Sequence, residues 1–272
     1  MAALLVIPGT IGLGETADNK ELKDVQAQVV ITVSEGKRLI AKAVTQLPAV
    51  KEALNEGMVI ITKGTTNTYV AEELLGRTIE HGAYVLGRTF PAKAGKGFGP
   101  VESIKEVVLV NGKAVDVSLD EAVSKLEPGD VVIKGANALN YEEELAGVMA
   151  TSRNGGTSGK ILPYVTVRKA HLIIPVGLEK QVSGDVVHIA NMLREPTESL
   201  NQIPSMFLLS GQIVTEIEAI ETLTNVSAVQ IAAGGIGGGE GAVRLLLRGT
   251  REQVEMALRV MDEVQGEPPF VQ

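Results

Sequence analysis

The stretch Gly57–Gly76, GMVIITKGTTNTYVAEELLG, decides the fold. Its run Met58–Thr62 consists of apolar and β-branched residues, which is typical of a buried strand. The loop Lys63–Asn67 follows, and the spacing then predicts a helix over Thr68–Leu75 that ends at Gly76. A strand that passes through a glycine-containing loop into a helix is the repeating unit of a parallel sheet covered by helices.

The same kind of unit recurs on both sides of this stretch. A helix capped by Ser34 follows the first predicted strand, and a β-hairpin over Glu106–Val117 turns at Asn111-Gly112, a dipeptide that strongly favours tight turns. Helices are also expected at Leu119–Leu126 and Glu142–Ala150. The remaining strands are predicted at Val29–Val33, His81–Leu86, Val131–Ile133 and Ala170–Val176.

The composition agrees with an aliphatic α/β core. Of 272 residues, 44% are hydrophobic but only 3% are aromatic, so Ala, Val, Ile and Leu fill the interior. The net charge of −8 argues against nucleic-acid and membrane-surface partners, which are themselves anionic. The chain has no Cys, and its three histidines have no metal-ligand spacing, so we expect no metal and no cofactor. The apolar stretch Ala2–Ile7 is too short for a signal peptide or a membrane span, which favours a cytoplasmic location.

The last segment has a plan of its own. From Met206 onward the predicted order is strand, helix, strand, strand, helix and a short strand near Val271. The two middle strands join at Gly234–Gly241, and Thr250 caps the last helix, Arg251–Val264, with Gln253 completing a capping box. This order is that of a ferredoxin-like subdomain.

The predicted fold is therefore α/β with two parts. Residues 1–200 form an open, mostly parallel sheet with helices on both faces and a hairpin insertion near 101–118. Residues 201–272 form the ferredoxin-like α+β subdomain.

Three loops carry the candidate site: Lys63–Asn67, Lys134–Asn137 and Arg153–Lys160. In open parallel sheets, ligands bind outside the carboxyl ends of the strands, where glycines admit an anion and helix N-termini attract it. Each loop adds lysine, arginine or hydroxyl groups to its glycines. The expected ligand-binding residues are Lys63, Gly64, Thr65, Thr66, Asn67, Gly135, Asn137, Arg153, Gly155, Gly156 and Lys160.

Lys134 is the expected catalytic group if the protein is an enzyme, because burial after a core strand lowers the pKa of a lysine. The Thr89–Pro100 loop, with Lys93 and Lys96, has the composition of a plain mobile loop, and a lid over the site is the alternative interpretation. Asp130 precedes its strand and is expected at the wrong end of the sheet for ligand chemistry.

The ordered set of these segments resembles the superfamily of ribose-5-phosphate isomerase, glucosamine-6-phosphate deaminase and the CoA-transferases. Gly57–Gly76 is similar to its opening strand, glycine loop and helix, and Gly129–Asn140, GDVVIKGANALN, to its later strand and Asp-Gly-Ala-Asp loop. Ser152–Lys160 stands where the isomerases have a Lys-Gly-Gly-Gly loop, and Ala170–Val182 is similar to a later strand. The resemblance implies a sugar-phosphate or CoA-type ligand, and its isomerases also have a ferredoxin-like subdomain.

Departures from that family limit the activity that the resemblance implies. Lys134 and Asn137 occupy the two acidic positions of the isomerase loop, and Thr157–Lys160 stands where its catalytic Glu is expected. Sugar-phosphate isomerisation needs a carboxylate base, so ribose-5-phosphate isomerase itself is rejected. The CoA-transferases use a Glu nucleophile, for which Glu142–Glu144 is the only candidate.

Three functional interpretations stay open. The first is binding or conversion of a small metabolite that carries a phosphate, a carboxylate or a CoA ester. The second is a non-catalytic effector sensor that works with a separate partner, and the third is an assembly protein, since the glycine-rich tail loosely resembles microcompartment shell domains. In each case the apolar fraction favours a homo-oligomer.

Overall fold

The computed structural model describes residues 24–87, 89 and 101–270. The protein has a mixed α/β fold, as the sequence predicts. In chain order the elements are β1 (Val25–Ile31), α1 (Val33–Val44), α2 (Pro48–Glu56), β2 (Met58–Ile61), α3 (Thr65–Leu75), β3 (Val107–Val110), β4 (Lys113–Val115), α4 (Leu119–Ser124), β5 (Val131–Ile133), β6 (Ala138–Asn140), β7 (Leu145–Ala150), α5 (Gly156–Arg168), β8 (His171–Pro175), a 3₁₀ turn (Leu178–Lys180), α6 (Val186–Met192), β9 (Ser205–Leu209), β10 (Gln212–Val214), α7 (Glu216–Thr224), β11 (Ser227–Ala233), β12 (Val243–Gly249) and α8 (Arg251–Val264).

A central sheet of six strands, in the order β10-β8-β5-β2-β3-β4, organises the described part of the chain. Its strands β10, β8, β5 and β2 run parallel, with Ile61 opposite Ile133 and Ile133 opposite Ile173. The predicted hairpin β3–β4 is present and pairs antiparallel with β2 at one edge. Asn111 and Gly112 both adopt positive φ, of 49° and 73°, as its tight turn requires.

The core is aliphatic, and amphipathic helices cover it. Every residue of β5 is buried, and so are the last three residues of β2. Helix α1 packs against both α3 and α7. Its N-terminus is fixed by a capping box in which Thr32 Oγ1 accepts from Glu35 N and Glu35 accepts from Thr32 N. Helix α8 has the predicted bounds and the predicted cap at Thr250.

Strand pairing in the last segment differs from the predicted ferredoxin-like plan. β9 pairs with β7 in a sheet of order β6-β7-β9, and β10 joins the central sheet. β12 pairs with β11, joined by the expected glycine-rich turn, and also with β1 near the other end of the chain. β9 pairs with β7, and β12 pairs with β1, which lies far away in the sequence. Local sequence patterns therefore do not predict these pairings. The strand near Val271 lies outside the described residues.

Two predicted elements are wrong. Glu142–Ala150 forms a turn and then β7, because β7 finds pairing partners on both sides and Glu144 adopts a positive φ of 50°. His81–Leu86 is not a strand, and the Tyr84 hydroxyl instead donates to Ile61 O and accepts from Val107 N.

Smaller shifts affect the helix starts. Thr32 rather than Ser34 caps α1, and α3 begins at Thr65 rather than Thr68, so part of the Lys63–Asn67 loop is the first turn of a helix. Of the predicted Thr89–Pro100 loop, only Thr89 lies among the described residues. None of the described helices has the length and apolar character that a membrane span requires.

The segment after α8 is held against α1 and α3 by charge and by ring stacking. The Arg38 guanidinium pairs with Glu72 at 2.7 Å and with Glu73 and Glu267 at 2.9 Å each. The Phe270 ring stacks on His81 with a centroid separation of 4.4 Å. These contacts hold residues 266–270 beside Arg38 of α1 and beside His81, which follows α3.

Asp130 fixes the amino ends of two parallel strands. Its carboxylate accepts from Met58 N at 2.7 Å and from Glu127 N at 2.8 Å, and only 6% of the residue is exposed. Gly57 leaves the room for this contact, since a Cβ there would lie 2.8 Å from Asp130 Oδ1. Asp130 therefore lies at the end of the sheet opposite the candidate loops and has a structural role.

We expect Asp130→Ala to lower the free energy of unfolding by about 3 kcal/mol, because two backbone donors lose a charged acceptor. Urea unfolding measures this change. Asp116→Ala is the matched control: Asp116 pairs with Lys105 but is 85% exposed in its side chain, so the expected loss is about 0.5 kcal/mol or less. Equal losses in the two variants would contradict the structural role of Asp130.

Candidate functional site

The carboxyl ends of the parallel strands carry a row of charged residues. Lys63 follows β2, Lys134 follows β5, Glu179 and Lys180 lie in the turn after β8, and Glu216 begins the helix after β10. Because parallel strands end at the same edge of a sheet, these residues come together although they are far apart in sequence. Their order across the edge runs from two acids at β10 and β8 to lysines at β5 and β2.

A cleft of about 1500 Å³ opens over this edge. The first turns of α1, α3 and α5 all line it, together with the turn after β8, the Gly237–Glu240 part of the β11–β12 turn and the segment Gly266–Phe270. Three helix N-termini in one cleft present backbone N–H groups and partial positive charge to whatever occupies it.

The N-terminus of α3 is open to a ligand. Its N-cap is Gly64, no side chain among the described residues caps it, and its first turn contains no acid. Gly64 has an extended backbone (φ 169°), and an added Cβ would lie no closer than 3.8 Å to Asn67 Cβ. Backbone geometry and packing would therefore both permit a side chain at position 64. Because the residue is glycine, no side chain at this position obstructs the approach to the helix amides.

Asn67 positions the site rather than facing it. The side chain is completely buried, and its Nδ2 donates to Thr62 O at 2.8 Å and to Ile133 O at 3.1 Å. These bonds tie the loop after β2 to the end of β5. Its Oδ1 is buried without a hydrogen-bond partner among the described residues and lies 3.8 Å from where a Cβ on Gly135 would be.

Lys134 is buried at the cleft with only 8% of the residue exposed. Its Nζ donates to Gly135 O at 3.1 Å, and no carboxylate of the described residues lies within ion-pair distance of it. Burial, and secondarily the charge of Lys180, lower the pKa of Lys134 to about 8. Lys180 itself donates to Ala136 O at 3.1 Å.

The third predicted loop contributes its glycines but not its cations. Gly155 and Gly156 line the cleft with φ of 75° and 57°, and a Cβ on Gly155 would lie 2.6 Å from the Phe207 ring. Lys160 lies away from the cleft and pairs with Asp120 at 2.7 Å, while Arg153 is exposed and does not line the cleft.

The remaining predicted ligand residues line the cleft. Among them, Asn137 is exposed, and its Oδ1 accepts from Met149 N at 3.0 Å, so it also holds the edge of β7. Lys63 donates to Ser103 Oγ at 3.0 Å. The site residues that the structure brings together are Lys63, Gly64, Thr65, Thr66, Asn67, Lys134, Gly135, Asn137, Gly155 and Gly156.

Sequence reasoning missed a charged cluster formed by Lys37, Glu179, Lys180 and Glu216, of which Lys37 and Glu216 are buried. Glu216 is 2% exposed, its Oε2 accepts from Leu178 N at 2.9 Å, and a Cβ on Gly177 would collide with Glu179 Oε2 and lie 3.0 Å from Glu216 Oε1. The two carboxyl groups therefore face the same point. Burial, followed by the charge of Glu179, raises the pKa of Glu216 to about 7.

Lys37 completes this cluster from the first turns of α1. Burial lowers its pKa to about 8, while Glu179 and Glu216 act in the opposite direction. Lys180 was recognisable by the rule that selected Lys63 and Lys134, since it too follows a core strand. Glu216 carried no such signal, because β10 is only three residues long.

Most of the acids that line the cleft are engaged by protein groups. Glu35 accepts from Thr32 N and Gly266 N, Glu267 pairs with Arg38, and Glu240 accepts from Gly238 N. The edge formed by β5 and β2 carries lysines and helix amides. No group of three or more His, Asp or Glu with metal-binding geometry occurs in the part of the chain that the structure describes.

The chain matches no model of a known protein family, no curated protein and no solved structure.

We expect Glu216→Gln to become relatively more stable than wild type as the pH rises from about 5 to about 8. Folded Glu216 keeps its proton up to about pH 7, whereas the unfolded side chain releases it near 4.5. Its stabilising contribution is therefore present below about 4.5 and is lost as the pH rises through about 7. The glutamine keeps an acceptor for Leu178 N and has no such titration.

Thermal unfolding at several pH values measures this effect, and the difference in Tm between variant and wild type should increase by several degrees across the window. The exposed Glu252→Gln is the control for the loss of one negative charge. A Tm difference that stays constant with pH would show that Glu216 is ionised throughout.

Proposed function

We propose that the chain binds a small metabolite that carries a phosphate or a carboxylate, as a free acid, a sugar phosphate or a CoA ester, in the cleft above the central sheet. The observation that carries this proposal is the open N-terminus of α3 beside Lys134, a buried cation without a carboxylate partner among the described residues. A helix N-terminus and a lysine together are a recurrent anion site.

Burial of Lys134 supports an anionic ligand on energetic grounds. A lysine buried without a counter-ion loses solvation, which the single hydrogen bond from Lys134 to Gly135 O replaces only in part, and the lowered pKa of Lys134 follows from this loss. An anion within reach would restore the favourable charge interaction. Lys180 and Lys63, which follow the strands to either side of β5, increase the positive potential at the same place.

The shape of the cleft supports a ligand larger than the anion alone. Small-molecule pockets typically measure about 300–1000 Å³, and this cleft of about 1500 Å³ exceeds that range. Val33, Val85 and Phe270 offer apolar surface beside the polar floor. A sugar, an acyl chain or a larger carrier group has room there once the anion is bound at α3.

A more specific form of the proposal is that the protein catalyses an isomerase-like or transferase-like reaction in this cleft. Sequence reasoning found no carboxylate base in the predicted loops, but Glu179 lines the cleft from the turn after β8. This carboxylate is available for proton transfer, the step that sugar-phosphate isomerisation requires. The likeness to the isomerase, deaminase and CoA-transferase superfamily stays a hypothesis, and the anion site does not depend on it.

The test is thermal unfolding in the presence of inorganic phosphate, sugar phosphates, CoA and its esters, nucleotides and small carboxylates. A ligand that binds only the folded state adds about 2.7 kcal/mol when its free concentration is about 100-fold above Kd. We expect a rise in Tm with one of these classes, and loss of most of that rise in Lys134→Ala.

Lys160→Ala is the matched control, because Lys160 also belongs to a predicted glycine loop but lies outside the cleft. It should keep the full ligand-dependent rise in Tm. Equal loss in both variants would indicate a general charge effect, and the absence of any rise across the panel would contradict the proposed function.

A further inference from the structure

We propose that the ligand carries an aldehyde or ketone near its anionic group, and that Lys134 Nζ adds to this carbonyl carbon to form an imine; this inference rests on the proposed function. The anion site at α3 would hold the ligand, and Lys134 would be the group that reacts with it.

The surroundings of Lys134 suit an uncharged amine. The residue lines the cleft, and its Nζ donates to Gly135 O at 3.1 Å. A carbonyl oxygen carries no net charge, so it favours the ammonium form of the lysine less than a carboxylate would. Lys180 is a like charge and disfavours a second cation close by. At a pKa of about 8, roughly half of the Lys134 amines are neutral at pH 8, whereas an ordinary lysine is almost entirely protonated there.

The other lysines of the cleft lack this combination. Lys63 and Lys180 are only partly buried, and they donate to Ser103 Oγ and to Ala136 O. Lys37 is buried too, but Glu179 and Glu216 favour its protonated form. A nucleophilic amine needs a lone pair that no nearby carboxylate of the protein keeps protonated, and among the described residues no carboxylate does this to Lys134.

The register of the sheet brings the amine and the anion site together. Ile61 of β2 pairs with Ile133 of β5, so the loop that leads into α3 and Lys134 leave the sheet side by side. Asn67 Nδ2 joins the two loops through Thr62 O and Ile133 O. A phosphate or carboxylate at the first turn of α3 therefore places a carbonyl a few bonds away within reach of the end of β5.

The chemistry balances without an oxidant or a reductant. The nitrogen lone pair attacks the carbonyl carbon, a C–N bond forms, and a proton moves from nitrogen to oxygen to give a carbinolamine. The C–O bond then breaks, the hydroxyl leaves as water with a second proton, and the imine remains. Addition of water reverses these steps and releases the lysine.

Reductive trapping tests this inference on the wild-type protein. Glyceraldehyde 3-phosphate, a phosphorylated aldehyde, is added with sodium cyanoborohydride, which converts an imine into a stable secondary amine, and peptide mass mapping locates the adduct. We expect Lys134 to be labelled at least about tenfold faster than Lys160, since each unit by which a pKa is lowered raises the neutral fraction about tenfold. Inorganic phosphate should slow the labelling of Lys134 only. Unphosphorylated glyceraldehyde meets the same neutral amine but lacks the anion, so it should show a smaller preference for Lys134, which inorganic phosphate does not reduce by competition.

Lys134→Arg should lose this labelled peptide and keep the pattern at every other lysine, and the unchanged pattern at Lys160 serves as the check that the variant is folded. Labelling spread over many lysines, labelling centred on Lys37, or labelling of Lys134 that phosphate does not slow would each overturn the inference. A phosphate-dependent rise in Tm without a Lys134 adduct would overturn imine formation and leave the proposed function standing. Absence of both results would overturn the two together.

Discussion

Parallel pairing of β2 with β5, and of β5 with β8, is the constraint on which the cleft depends. The three strands are short and all their paired residues except His171 are buried, so their register is fixed by backbone hydrogen bonds and by close packing of branched side chains. Once the register is set, Lys63, Lys134 and Lys180 must leave the sheet at one edge. The buried amide of Asn67 strengthens this arrangement, because it links the ends of β2 and β5 exactly where the sheet hydrogen bonds stop.

A buried lysine or glutamate reduces the stability of a domain unless other groups compensate. Here burial of Lys134, Lys37 and Glu216 lowers stability. The aliphatic core that runs through the central sheet and the helices packed on it offsets this loss. The described structure therefore combines a strongly packed interior with a floor of the cleft where charges are poorly satisfied. Such a division is common where a protein keeps groups ready for a ligand instead of pairing them with one another.

Local sequence patterns predicted those helices, strands and turns that neighbouring residues determine. The strand and helix of Gly57–Gly76, the hairpin at Asn111-Gly112 and the capped helix after Thr250 all follow from neighbouring residues. The segment Glu142–Ala150 could not be predicted in this way, because it becomes a strand through pairing with residues about sixty positions later. The same limit applies to the site. Glycine loops after strong strands identified Lys63 and Lys134, whereas Glu216 joins the cluster through the short strand β10, which pairs with β8.

The contact between Gly57 and Asp130 limits which substitutions this sequence can accept during evolution. Any side chain at position 57 would occupy the space of the Asp130 carboxylate, while a different residue at position 130 would leave Met58 N and Glu127 N without their acceptor. The two positions directly precede different strands, and each limits which residue fits at the other. Among sequences descended from a common ancestor with this one, glycine and aspartate should be inherited as a pair, and a chain that has lost one should have remodelled the amino ends of both strands.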